Sequence, residues 1–175
     1  MTKPRGRTFE DVRVGETLPG YELPMTLTSV AAAAVATRDY QPVHHDVAWT
    51  QQMGSKTVFM NTHSTAGFIE KMVMEWAGPD AFMRRIAFKM GAPNYAGDSM
   101  KAKGTVTACH ADTRVVEIDV AISNSIGDHA TGTVSVTLEG VAAGVAHGIA
   151  VITAESVEGG FSASVTVLVE EEDAS

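Results

Sequence analysis

An acidic side chain, Asp39, and an imidazole, His44, stand five residues apart with Pro42 between them. The proline ring fixes its own backbone torsion and removes a hydrogen-bond donor, so the chain must bend between the two groups. Such a bend can direct both side chains into one small volume, which a continuous helix would not do at this spacing. The pair could then share a water molecule. The imidazole would take a proton near neutral pH, and a carboxyl group whose pKa is raised by burial would return one.

A helix and a bend should position this pair. The first strong helical signal covers Leu27 to Asp39, where Thr28 or Ser29 can accept the unpaired N–H groups of the helix start and an alanine-rich stretch follows. Proline disfavours helical geometry in the residue before it, so the helix should end before Pro42. Residues 41–56 are then expected to form a loop, with the acid at its entrance and the imidazole within it.

A second helix is predicted from about Thr62 to Ala77. Its apolar residues recur at the helical period and mark one buried stripe, formed by Ile69, Met72, Val73 and Trp76. Gly78 and Pro79 end it. The helix would be about 24 Å long, enough to lie across a small sheet.

Beyond this helix the apolar residues alternate with a period of two, which is typical of half-buried strands. The alternating sets are Ile86, Phe88 and Met90, then Val116, Ile118, Val120 and Ile122, and then Val134, Val136 and Leu138. Turn residues at 96–98, 111–112 and 127–128 favour antiparallel connections. The predicted fold class is therefore α+β, with a curved antiparallel sheet wrapped around one long central helix.

Length and charge narrow the possible domain organisation and partners. With 175 residues the chain has room for one main domain, which we assign to residues 11–140. Residues 1–10 are expected to be a flexible leader, and residues 141–175 a C-terminal extension that forms either an extra hairpin at the sheet edge or a mobile segment with an acidic tail. The formal net charge of −8 argues against nucleic acid as a partner.

Cysteine content and hydropathy bear on the compartment. Cys109 is the single cysteine, so an internal disulfide is excluded and a reducing compartment is expected, with the cytoplasm as the default. The first residues lack the apolar stretch of a signal peptide, and nowhere do eighteen apolar residues run together. We therefore expect no association with a membrane.

The segment around the acid and the imidazole resembles a known family motif. MaoC-like (R)-specific enoyl-CoA hydratases of the hot-dog fold carry the pattern Asp-x-Asn-Pro-hydrophobic-His-x-Asp. In this chain Asp39, Pro42, His44 and Asp46 match it, and Gln41 replaces the asparagine. The resemblance implies the hot-dog fold.

The likeness extends over about residues 20–138. The stretch 36–79, with the segments 54–56 and 75–79, is most similar to the small hydratase subunit of bacterial steroid side-chain degradation. The leader and the region after Gly140 have no recognisable counterpart.

The resemblance implies a syn addition of water across the double bond of a trans-2-enoyl-CoA thioester, with Asp39 and His44 holding and activating the water. Charge gathers on the thioester oxygen, and free backbone N–H groups at the start of a long helix can receive it. Most family members have His-Gly at the helix start where this chain has Met60-Asn61. Asn61 and Thr62 are therefore equal candidates for the oxyanion donor.

Four residues are expected to contact the substrate: Asn61, Thr62, Gln41 and His63. The resemblance implies no cofactor, because the CoA thioester is the substrate. It implies as partner a second hot-dog chain lacking the acid and the imidazole, in a heterodimer or heterotetramer, or else a second copy of this chain in a homodimer.

These residues also allow other interpretations. The chain could be a non-catalytic hot-dog partner, or an acyl-CoA thioesterase whose Glu70 attacks the thioester or activates water. His45 and Asp46 could join His44 in a metal site, but structural hydrogen bonds by Asp46 are favoured and no metal is expected. The remaining histidines are expected at the surface, namely His110, His129 and His147.

Overall fold

One long helix lies against one sheet in the computed structural model of the chain. The structure describes residues 6–138 in full, and the backbone alone of residues 149–156 and 162–168. The helices are α1 (Leu27–Ala36), α2 (Val47–Gln52) and α3 (Thr62–Ala77). The strands are β1 (Tyr21–Pro24), β2 (Phe82–Met90), β3 (Ser99–His110), β4 (Val115–Ser123), β5 (Asp128–Thr137), β6 (Ile149–Ser156) and β7 (Ser162–Leu168).

The sheet has the strand order β1-β3-β4-β5-β2-β6-β7 in the described residues. Strands β1 to β5 pair in antiparallel fashion, as the alternating pattern predicts. Strand β6 pairs in parallel with β2, and β7 pairs antiparallel with β6. The backbones of β6 and β7 thus form a hairpin at the sheet edge. The proposed acidic tail, residues 170–173, lies outside the described residues.

Helix α3 has the predicted bounds because its apolar stripe is buried. Ile69, Met72, Val73 and Trp76 all pack into the core against the sheet. Gly78 ends the helix with a φ of 90°, a left-handed conformation that favours glycine. None of the helices in the described ranges is long and apolar enough to cross a membrane.

The segment between α1 and α3 differs from the predicted loop. Helix α1 ends at Ala36 rather than Asp39, because Arg38 adopts a left-handed φ of 57°. A 3-10 turn follows at Pro42–His44. Asp46 then caps α2 within the expected loop, as its side chain accepts the N–H of Trp49 at 2.9 Å.

The start of α1 also differs in its cap. Thr26, rather than Thr28 or Ser29, accepts an orphan N–H group, that of Ser29, at 3.0 Å. Local sequence does not distinguish these neighbouring hydroxyl residues, because each is a good capping residue.

Residues 6–10, assigned above to a flexible leader, contact the domain. The Arg7 N–H donates to the Ala77 carbonyl at 3.1 Å, and its guanidinium lies 4.9 Å from the centre of the Trp76 ring. Arg7 also pairs with Glu16 at 2.6 Å. This end of the expected leader is therefore held against the end of α3, while residues 1–5 lie outside the described residues.

A glycine in the middle of the sheet permits close approach of two strands. A Cβ atom at Gly132 in β5 would lie 2.0 Å from the Ala87 carbonyl oxygen and 2.5 Å from the Phe88 Cα atom. We expect Gly132→Ala to lower the free energy of unfolding by about 3 kcal/mol or more, because backbone atoms cannot give way as flexible side chains do.

The matched control is Gly67→Ala on the exposed face of α3, where a Cβ would meet nothing within 4 Å. That change should raise the free energy of unfolding by about 0.5–1 kcal/mol through helix propensity. Urea unfolding measures both variants. Equal effects of the two changes would contradict the close approach at Gly132.

Candidate active site

The acid and the imidazole meet at the start of α3. The Nε2 atom of His44 lies 3.2 Å from the Oδ2 atom of Asp39. The His44 side chain is 7% exposed and the Asp39 side chain 22% exposed, so the pair is sheltered but open to solvent on the carboxyl side. The bend at Pro42 therefore brings the two groups together as the sequence predicts.

The orientation of the imidazole is set by Phe59. The His44 Nδ1 atom lies 2.7 Å from the Phe59 carbonyl oxygen, and the two rings meet edge to face at 5.5 Å. A carbonyl oxygen can only accept, so we assign a proton to Nδ1. The Nε2 atom faces a carboxylate, and two lone pairs would repel each other there. The contact is favourable when one proton lies between Nε2 and Oδ2, so the pair holds an exchangeable proton.

The Asp39 carboxyl group is held by hydrogen bonds at both oxygens. Oδ1 accepts the Gln41 N–H at 3.3 Å, and Oδ2 accepts Nδ2 of Asn61 at 3.0 Å. Burial acts to raise the Asp39 pKa, but the bonds from Asn61 and Gln41 and the charges of His44 and His63 outweigh it, so the pKa lies below its ordinary value of 3.8. The expectation of a pKa raised by burial is therefore wrong. Asp39 is ionised at neutral pH and suited to accept a proton.

Local backbone geometry aims the two side chains. The Asp39 N–H donates to the Ala34 carbonyl at 2.9 Å, which closes the end of α1 behind the left-handed Arg38. The His44 N–H donates to the Gln41 carbonyl at 3.1 Å inside the 3-10 turn. The short turn thus reverses the chain, so that His44 points back toward the carboxyl group.

Asn61 is buried and connects three segments of the site. Its Oδ1 atom accepts the N–H of Ser64 at 3.0 Å and also the Ser64 hydroxyl, which caps α3. Its Nδ2 atom donates to the Thr37 hydroxyl at 2.8 Å and to Asp39. The side chain expected to contact substrate is therefore used within the protein, and Thr37, Ser64 and Phe59 join the site. The bond from Ser64 to Asn61 had a signal in the sequence, because Asn61 is a good capping residue directly before the apolar stripe of α3.

The first turn of α3 leaves backbone donors free. Within residues 6–138, the N–H groups of Asn61, Thr62 and His63 have no hydrogen-bond acceptor. They lie at the positive end of the helix dipole, where an anionic oxygen is favoured. Both sequence candidates for the oxyanion donor, Asn61 and Thr62, thus retain a free N–H. The His63 side chain is exposed, and that of Thr62 is half-buried.

The other polar residues singled out by the sequence have simpler environments. The Gln41 side chain is exposed, and its backbone N–H serves Asp39. Glu70 is also exposed on α3, about 13 Å along the helix axis from Asn61. Asp46 makes the structural hydrogen bond expected of it, at the start of α2.

His129 is buried rather than at the surface. Its Nε2 atom lies 2.9 Å from the Thr65 hydroxyl, and its Nδ1 atom lies 2.7 Å from the Ala92 carbonyl oxygen. Burial lowers the pKa of His129 although the bond to Ala92 acts to raise it. His110 is exposed as predicted and lies 3.2 Å from Glu117. His147 lies outside the described residues.

A groove of about 690 Å³ lies away from this site. Its exposed lining side chains include Arg85, Lys89, Lys103 and Asp119. Neighbouring residues of a strand point to opposite faces of the sheet, and next to Lys103 is Gly104, where a Cβ would touch Met72 of α3. The groove is therefore on the face of the sheet away from α3. Among the described side chains, no cluster of three or more His, Cys, Asp or Glu is placed to hold a metal ion.

The lowered pKa of Asp39 predicts a pH-dependent contribution to stability. The ionised carboxylate stabilises the fold fully above the unfolded-chain pKa of 3.8, and this contribution is lost as the pH falls through the lower folded pKa. The stability difference between wild type and Asp39→Asn should shift against the wild type as the pH falls below about 5. Urea unfolding at each pH measures it, and other carboxylates cancel in the difference. A shift in favour of the wild type on acidification would indicate a raised pKa.

Sequence comparison identifies relatives of this chain. The MaoC-like domain family matches residues 11–126. The 3-oxo-4,17-pregnadiene-20-carboxyl-CoA hydratase beta subunit of Mycobacterium tuberculosis (strain ATCC 25618 / H37Rv) is 37% identical over 125 residues, which make up 71% of this chain and 95% of the relative.

Solved structures agree with this relationship. A chain in the crystal structure of the ChsH1–ChsH2 complex from Mycobacterium tuberculosis matches with a TM-score of 0.71 and 36% identity, covering 73% of this chain and 99% of that chain. The (R)-hydratase from A. caviae involved in PHA biosynthesis matches with a TM-score of 0.69 over 74% of this chain and 98% of that chain, and at 21% identity it bears on the fold alone. The chain belongs to the MaoC-like domain family, has the hot-dog fold and is a hydro-lyase.

Proposed function

We propose that the chain is the catalytic subunit of an enoyl-CoA hydratase, which adds water to a trans-2-enoyl-CoA thioester. The observation that carries the proposal is the 3.2 Å contact between His44 and an ionised Asp39, located beside the free N–H groups of α3. Hydration of an enoyl thioester needs a base for water, an acid for the α-carbon and donors for the thioester oxygen. The groups to which we assign these three roles lie within one short segment and one helix end.

The proposed reaction follows from the positions of these groups. Asp39 accepts a proton from the bound water as its oxygen forms a bond to the β-carbon. The electron pair of the double bond moves toward the thioester oxygen, which accepts hydrogen bonds from the start of α3. His44 donates its Nε2 proton to the α-carbon on the same face, which gives syn addition. The proton on Asp39 then returns to His44 across their contact, and the pair is restored.

We propose a bulky steroid side-chain thioester as the substrate. The support is the relative whose name states a pregnadiene-carboxyl-CoA thioester, which aligns over nearly all of its length. No cofactor is proposed, because acid–base groups and hydrogen-bond donors suffice for this addition. A cytoplasmic location is proposed as well, since the single Cys109 of the chain is a free thiol.

We also propose a second hot-dog chain as partner, in a heterodimer or heterotetramer. The related solved structure is a complex of two different chains, and the related hydratase is described as a beta subunit. In this chain, three large apolar side chains of the segment that carries the acid and the imidazole, residues 35–53, are exposed: Tyr40 is 68% exposed, Val35 57% and Met53 67%. Exposed apolar side chains in this segment fit a partner that covers them.

Substitution of the acid–base pair tests the catalytic role. Asp39→Asn and His44→Ala should each lower kcat/KM by about 100-fold or more, because each removes a proton-transfer group. Loss of the conjugated double bond of an enoyl-CoA and release of free thiol are followed together, in the absence and in the presence of any second chain that copurifies with this one.

Glu70→Gln is the matched control and should leave hydration unchanged. Hydration that survives both substitutions of the pair would contradict the assignment. Thiol release that depends on Glu70 would instead favour a thioesterase, and no reaction with any partner would favour a non-catalytic subunit.

Assembly can be tested by mass. Light scattering should give a mass above the 18.5 kDa of one chain, and the mass should correspond to a hetero-oligomer when the copurifying chain is present. A mass of one chain at every concentration and in every mixture would contradict a paired hot-dog enzyme.

A further inference from the structure

The hydrogen-bonding capacity of the Asn61 side chain is fully used. The amide oxygen accepts twice, from the N–H and the hydroxyl of Ser64, and the amide nitrogen donates twice, to Thr37 and Asp39. Asn61 is only 4% exposed, so water does not compete for these bonds. A flipped amide would turn donors toward the Ser64 N–H, which fixes the orientation.

This arrangement links Asp39 to α3 across a long sequence separation. The other backbone or amide donor to the carboxyl group is the Gln41 N–H, which is local to the same turn. Asn61 lies 22 residues away in sequence and belongs to the helix whose first N–H groups are free. One rigid side chain therefore sets where the carboxylate lies relative to those N–H groups.

We propose that Asn61 is a positioning residue, which holds Asp39 in its ionised form at a fixed place beside the anion-binding end of α3. The assignment of Asp39 to catalysis rests on the proposed function, whereas the Asn61–Asp39 link does not. The titratable side chains acting on Asp39 are His44, from the 3-10 turn, and His63, from α3. The end of α1 contributes the neutral Thr37 hydroxyl through Asn61.

Two substitutions separate positioning from helix capping. Asn61→Asp keeps the size of the side chain and the oxygen that accepts the Ser64 N–H, but replaces the donor to Asp39 with a negatively charged oxygen. Asn61→Ser keeps a capping hydroxyl and removes the longer amide group, with its N–H donor to Asp39, without adding charge. The Asp39 pKa should rise in both variants, by about one unit or more in Asn61→Asp and by less in Asn61→Ser.

The pKa is read directly by carbon NMR of the Asp39 carboxyl group in the full chain, with Asp39→Asn identifying its signal. In parallel, the acidic limb of the kcat/KM profile for an enoyl-CoA should move to higher pH in the same order. Thr26→Ala is the matched control, because it removes the cap of α1 without touching the site. It should lower the melting temperature and leave both the Asp39 pKa and the pH profile unchanged.

An Asp39 pKa that stays at its wild-type value in both Asn61 variants would overturn the inference, whatever happens to activity. A pKa that rises while the acidic limb stays in place would support the Asn61 link and count against the catalytic role of Asp39 in the proposed function. The two failures are therefore distinguishable.

Discussion

Burial of the first turn of α3 is the constraint on which the site depends. The apolar stripe of the helix packs against the sheet, and this places Asn61, Ser64 and Thr65 in the interior as well. A buried polar group without a partner costs free energy, so each of these side chains must be hydrogen-bonded within the protein. Asn61 bonds Ser64 and Asp39, and Thr65 bonds the buried His129. The buried polar side chains at the start of α3 are thus hydrogen-bonded within the protein, and the candidate active site lies on the side of this helix end that is open to solvent.

The protonation state of Asp39 results from two opposed effects. Partial burial favours the neutral acid, while two hydrogen bonds and two neighbouring imidazoles favour the carboxylate. The carboxylate prevails because both of its oxygens accept hydrogen bonds from groups the fold already holds in place. The ionised Asp39 lies 3.2 Å from the Nε2 atom of His44, so the two groups of the proposed reaction face one small volume. The proposed syn addition of water requires one group that accepts a proton and one that donates a proton on the same face of the double bond.

Local signals made much of this fold predictable. The bounds of α3 follow from a strong stripe between a capping residue and Gly78-Pro79, and the meeting of Asp39 with His44 follows from the bend at Pro42. The end of α1 did not follow, since nothing in the local sequence marks the left-handed conformation of Arg38.

Contacts between distant segments were the part that sequence could not supply. The Asn61–Asp39 bond joins residues whose approach depends on how α1 and α3 pack. The burial of His129 was missed for a different reason. Strict alternation would expose it beside the buried Ala130, but the pairing of β4 with β5 shifts register at this end and both residues turn inward.

The Asn61 amide also bears on how two negative charges coexist in the proposed reaction. The thioester oxygen gains charge near the start of α3 while Asp39 is itself anionic until it accepts a proton from water. Like charges at short range would raise the energy of this state. Proton transfer to Asp39 neutralises the carboxylate as the oxyanion develops, so the repulsion falls when it would otherwise be greatest. Asn61 is bonded both to Asp39 and to the first turn of α3, so it fixes the distance between the carboxylate and the free N–H groups. Each negative charge then meets hydrogen-bond donors that are already in place and need not reorganise during the reaction.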